Sequence, residues 1–154
     1  MPKIDIAAVP GFEATGYPGE YARIVKGRIK QRLGDAGGLS QFGVNLTRLK
    51  PGAASAHRHW HRNEDEFVFI VSGEPTLVED SGETPLKAGD AAAFPAGAAN
   101  GHHLVNRTGV DVHYLEIGTR VERDVVEYTD PAIDLRAVND GAGWRFLRKD
   151  GTAW

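Results

Sequence analysis

His57-Arg58-His59-Trp60-His61, followed by Glu64-Asp65-Glu66 and then by Phe67-Val68-Phe69-Ile70-Val71, is the stretch from which the fold is read. Three of the chain's six histidines alternate with other residues here. In an extended strand alternate side chains share a face. His57, His59 and His61 therefore point one way, and several imidazoles beside a carboxylate suggest a metal site. The run Glu66 to Ser72 (EFVFIVS) is apolar on both faces, with Val68 and Ile70 on the side of Glu66 and Phe67, Phe69 and Val71 opposite. That pattern predicts an interior strand buried on both faces, in a sandwich or barrel. It also aims Glu66 into the protein, where a charge is costly unless it is paired or bound to a cation.

Outside this stretch the chain is punctuated for β-structure. It has 154 residues, 19 glycines and 8 prolines, and the glycines and prolines fall between short β-branched or aromatic runs. Phe42 to Lys50 alternates and reads as a strand closed by Pro51-Gly52, with Arg48 and Lys50 on a solvated face. Thr76–Glu79 and Glu83–Leu86 read as a hairpin; Ala91–Phe94, His102–Val105 and Val110–Ile117 read as further strands. Tyr21 to Arg32 fits either a strand or a short helix, because Gly27 weakens a helix. The length fits a single domain: an N-terminal arm over 1–40, a barrel core over about 41–118, and a polar tail over 119–154 packed across the barrel.

Composition removes several classes of function. The chain has no cysteine, so any metal rests on His, Asp, Glu or backbone oxygen. A net charge of −3 without a long basic run argues against nucleic acid as a partner. No apolar run reaches the ~20 residues of a membrane span, and Met1-Pro2-Lys3-Ile4-Asp5 has no signal-peptide character. The expected location is the cytoplasm. Ser40, Ser55, Ser72 and Ser81 show no nucleophile elbow.

Two spaced motifs carry a family resemblance. Gly52, His59-x-His61, then Glu66 after four intervening residues and Gly73 after six more make the first. Gly89, Pro95-Ala96-Gly97, His102 and Asn106 make the second. In this the chain resembles the cupin superfamily, and within it small bacterial single-domain cupins of the conserved-barrel type. The spacer before His59 is one residue longer than the family's, and that between Gly97 and His102 is four residues where the family has two. The resemblance implies an all-β double-stranded β-helix, or jelly-roll, and one divalent transition metal held by His59, His61, Glu66 and His102. Imidazole and carboxylate ligands suit Fe, Mn, Ni, Cu or Zn alike.

Other polar residues carry competing readings. His57 shares the strand parity of His59 but needs Glu64 as its acid, which lies too far from Gly73; it reads as a rim residue. His103 replaces His102 if the register slips by one. Glu66 has a structural alternative as an acid paired with Arg48 or Arg58. His113 reads as a packed or surface residue, Trp60 as packing, and Glu64 and Asp65 as a solvated bend.

Two functions follow. The first is a mononuclear-metal enzyme on a small organic molecule, either a dioxygenase acting on an enol or diketone or a sugar-acid isomerase or lyase. In it Glu66 ligates or acts as general base. The second is a non-catalytic module that binds or senses a small molecule on the same barrel. A homodimer is expected from the family, with Phe67, Phe69 and Val71 serving either inter-sheet packing or the dimer face.

Overall fold

In the computed structural model, which describes residues 3–154, the chain is all-β. Its strands are β1 (Gly11–Phe12), β2 (Arg28–Arg32), β3 (Phe42–Leu49), β4 (His59–His61), β5 (Glu66–Ser72), β6 (Thr76–Glu79), β7 (Gly82–Pro85), β8 (Ala91–Phe94), β9 (His103–Val105), β10 (Val112–Thr119), β11 (Arg123–Tyr128), β12 (Arg136–Asp140) and β13 (Trp144–Leu147). Among the described residues no helix is long and apolar enough to cross a membrane.

The strands form two layers, and every pairing is antiparallel. One layer is a six-stranded sheet in the order β1-β2-β3-β10-β5-β8. The other combines a four-stranded sheet, β13-β12-β11-β4, with a three-stranded sheet, β7-β6-β9. The isolated bridge His59↔His102 joins these two edge to edge. Two facing antiparallel sheets are the jelly-roll solution to burying one face of each strand. Leu49, Val68, Ile70, Leu77, Leu104, Val112 and Tyr114 close one core between the layers. Val126, Tyr128, Ile133, Leu135 and Ala137 close a second. Each large apolar side chain buried in this way contributes about 1.5–3 kcal/mol, so these clusters outweigh the surface ion pairs. β5 ends at Gly73, whose φ of +82° and whose Cβ position, 2.8 Å from the Asp111 carbonyl oxygen, leave no room for another residue.

The structure changes four of the expectations. The stretch after Gly118 is three strands, β11 to β13, and β11 pairs directly with β4. Its alternation was hidden because an acid, Asp124, occupies an inward position beside Val126 and Tyr128. β5 is central in its sheet but buried on one face only. Phe67, Phe69 and Val71 remain 39%, 38% and 47% exposed because no second layer covers that side. Tyr21–Arg32 is both of the alternatives in turn, a 3-10 helix over Gly19–Val25 and then β2. Glu64 does not project from a solvated bend but turns inward, as described below.

Candidate metal centre

β4 is only three residues long, so pairing with a neighbour must hold it in place. β11 does so, with Tyr128 opposite His59 and Val126 opposite His61. The period of two then puts His59 and His61 on the same inward face. Glu66 enters from the first position of β5, and His102 from the bridge just before β9. His102 Nε2 lies 2.9 Å from Glu66 Oε2, His59 Nε2 3.7 Å from the same oxygen, and His61 Nε2 3.5 Å from Glu66 Oε1. The donor atoms of His59, His61 and Glu66 fall within 4.8 Å of one another. His102 closes the group from the side of Glu66.

The opposite nitrogen of each ring is already committed. His59 Nδ1–H donates to the His57 carbonyl at 2.8 Å, and His102 Nδ1–H to the Asn100 carbonyl at 3.2 Å. His61 Nδ1–H donates to Asp124 Oδ2 at 2.5 Å. These oxygens accept, so Nδ1 carries a proton in each ring and Nε2 is the atom turned toward Glu66, where it takes either a second proton or a metal. Three lone pairs facing a carboxylate repel unless a proton or a cation sits among them. This is the ligand tautomer that outer-sphere hydrogen bonds impose at metal centres. The donor set, three imidazole nitrogens and one carboxylate, therefore fits a divalent transition metal.

Protons and a cation compete for these atoms. Burial opposes charge on His61, but Asp124 and Glu66 outweigh it and raise its pKa to about 10. Burial likewise opposes ionisation of Glu66, and the hydrogen bond with His102 together with the facing imidazoles of His59 and His61 overrides that and holds its carboxyl well below the ordinary range.

The remaining sequence candidates separate cleanly. His57 Nε2 bonds to the Tyr21 carbonyl at 2.8 Å, and its ring is packed edge-on by Tyr17, Tyr21 and Tyr128. His103 Nδ1 bonds to the Ala56 carbonyl at 2.7 Å, and burial lowers its pKa. The long spacer between Gly97 and His102 is anchored, with Asn100 Nδ2 donating to Glu79 Oε1 and Gly101 N–H to Asp80 Oδ2. That anchoring, together with a 3.5 Å parallel stack on Phe94, presents His102 to Glu66 in place of His103. His113 lies at the surface beside Ser72. Arg48 and Arg58, the alternative partners of Glu66, pair instead with Asp111 and Asp80.

Two further acids stand at the site: Asp124, which the sequence did not single out, and Glu64, read there as part of a solvated bend. Asp124 is 1% exposed; besides His61 it accepts the Asn63 N–H at 2.8 Å. Glu64 Oε2 lies 3.8 Å from His61 Nδ1, and its Oε1 accepts the Val121 N–H at 3.2 Å. Burial pushes the Glu64 carboxyl above its ordinary value. An inward acid on a strand paired to the histidine strand was the available signal, but the pairing itself is not written in the sequence.

The centre opens into a cavity of about 640 Å³ between the layers. On the wall facing β4, Glu116 Oε1 accepts from Lys30 Nζ at 2.5 Å and Asn45 Nδ2 at 2.9 Å. Tyr114 OH donates to Glu116 Oε2 at 3.3 Å. Lys30 and Asn45 hold the Glu116 carboxyl below its ordinary value against the opposing effect of burial.

Comparison with known proteins agrees with this architecture. The family model of the cupin domain matches residues 45–118. A crystal structure of a sugar phosphate isomerase from a cupin superfamily, from Silicibacter pomeroyi, is 47% identical. It aligns over 99% of this chain and 96% of its own, with a TM-score of 0.95. A protein from Acidithiobacillus ferrooxidans, named as a proposed sugar phosphate isomerase, is 32% identical over 80% of this chain and 77% of its own, with a TM-score of 0.73. An oxalate-binding protein from Thermotoga maritima is 30% identical over 70 residues, so that the chain spans 55% of that relative's length.

Proposed function

The chain belongs to the cupin superfamily, and from that premise we propose that it is a metal-dependent enzyme that isomerises a small sugar phosphate. The observation that carries this reading is the trio of imidazoles, each locked at Nδ1 and facing Glu66 through Nε2, at the edge of the 640 Å³ cavity. The substrate class is supported by the full-length similarity to the Silicibacter pomeroyi isomerase.

His59, His61 and His102 would hold the metal through Nε2, with Glu66 as the fourth ligand. A divalent ion bound there supplies Lewis-acid polarisation of a carbonyl. Converting an aldose to a ketose moves one proton between neighbouring carbons and one between their oxygens, with no atom gained or lost. Glu66, on detaching from the ion, would take the carbon-bound proton and return it to the adjacent carbon. Lys30, Asn45 and Tyr114, already positioned on the facing wall, orient the hydroxyls of the chain.

Incubation of metal-loaded protein with tetrose, pentose and hexose phosphates in D2O tests the reading. Ketose product with deuterium on the exchanged carbon is expected; absence of exchange with every sugar phosphate overturns the isomerase assignment. Elemental analysis should find one of Fe, Mn, Ni, Cu or Zn, and a His59→Ala/His61→Ala variant with unchanged metal content would remove the centre itself. The Thermotoga maritima relative favours a binding module as a second reading. Tight oxalate binding without turnover would select that reading, and oxygen uptake with an enol or diketone would select a dioxygenase.

A further inference from the structure

Four basic side chains other than histidine line the cavity: Arg28, Lys30, Arg120 and Arg145. Three of them have a carboxylate partner. Lys30 pairs with Glu116, Arg120 with Asp35, and Arg145 with Asp140. Arg28 has none within ion-pair distance among the described residues. Its one hydrogen bond runs from Nη1 to the Ser55 carbonyl at 2.5 Å. A guanidinium presents five N–H donors, so most of its hydrogen-bonding capacity is unspent. It is half-buried, in a place where an unpaired charge is costly.

The backbone fixes where this charge points. Arg28 lies opposite Leu49 across the β2–β3 pair, and Leu49 is fully buried in the core, so Arg28 shares the inward face. Tyr17, Tyr114 and Tyr128 line the same cavity. Burial raises all three phenols, and the field of Arg28 pulls each of them back. Tyr128 in turn stands 5.9 Å from His59, ring to ring, and Tyr17 stands 5.9 Å from Tyr128. An aromatic row thus runs from the imidazoles along the cavity that Arg28 also lines.

We infer that Arg28 is the anchor for an oxyanion, a phosphate or a carboxylate, on a substrate whose other end lies at the three histidines. Planar forked donors suit such groups in a bidentate mode. This inference rests on the isomerase reading for the carbon skeleton of the substrate, but not for the anion.

Calorimetric titration of metal-loaded protein with D-ribose 5-phosphate, inorganic phosphate, oxalate and neutral D-ribose tests it. Arg28→Gln should weaken the anionic probe that the unmodified protein binds by about tenfold to a hundredfold, and should leave D-ribose unchanged. Arg28→Lys should recover part of the loss. Phenylglyoxal labelling of the unmodified chain, mapped by mass spectrometry, gives the same information should Arg28→Gln fail to fold. The bound anion should protect Arg28, and D-ribose should not. Equal anion affinity in Arg28→Gln, no protection of Arg28, or no binding of any anionic probe overturns the anchor. Sugar phosphates turned over without dependence on Arg28 would leave the isomerase reading standing alone. Oxalate bound through Arg28, with sugar phosphates ignored, would leave the anchor standing and remove the isomerase.

Discussion

On the wall of the cavity formed by β4 and β11, each imidazole is tied at Nδ1 by the chain itself. On the facing wall Arg28 meets only a carbonyl. The first wall spends its hydrogen bonds on fixing ring orientation, which is what a rigid ion requires. The second leaves the Arg28 donors unspent, which is what a site for an exchangeable organic ligand requires. One cavity thus combines a finished surface with an unfinished one, and the division follows the two layers of the fold.

Substitutions can break this contrast in order of size. His59→Ala/His61→Ala removes two of four donors, and metal content should fall from about one ion per chain to background, read by elemental analysis. Asp124→Asn keeps the shape but removes the charge behind His61. Metal affinity should drop about 10–100-fold in competition with a chelator, with the other three ligands untouched. Glu116→Gln acts on the facing wall and strips Lys30 of its carboxylate. It should cost about 1–2 kcal/mol in denaturant unfolding while leaving metal affinity as it was. A loss of metal affinity as large as that of Asp124→Asn would show that the walls are not independent. Glu83→Gln breaks the exposed pair with Arg107, outside the cavity, and should change neither the melting temperature nor metal affinity.

The finished wall was legible in sequence only in part. The spacing His59-x-His61 to Glu66 needs one strand and one turn, so local periodicity carries it. β3, β5, β6–β7 and β8 were legible for the same reason, since alternation and turn residues mark them within a few positions. His102 was legible through the second motif, although only the anchored spacer decides it against His103. Asp124 was not, because its role depends on β11 lying beside β4, a pairing between segments 63 residues apart. Arg28 was not legible either. On a strand with alternating basic residues its neighbours Lys30 and Arg32 look alike, and only the distribution of carboxylates in three dimensions separates them. The outward apolar run Phe67, Phe69 and Val71 could not be placed from sequence. Apolar residues favour strands wherever they fall, and period two cannot tell a covered face from an open one.

The pairing of β4 with β11 also sets the order in which the molecule is built. Joining residues this far apart in the chain costs closure entropy that local turns do not. A nascent chain that stops after β10 already contains every proposed ligand, yet β4 has only the His59↔His102 bridge beside it and His61 lacks the Asp124 carboxylate behind its ring. His59 and His102 are tied by nearby carbonyls, but His61 acquires its fixed geometry only when the last strands fold back onto β4, which makes completion of the centre a late event in synthesis.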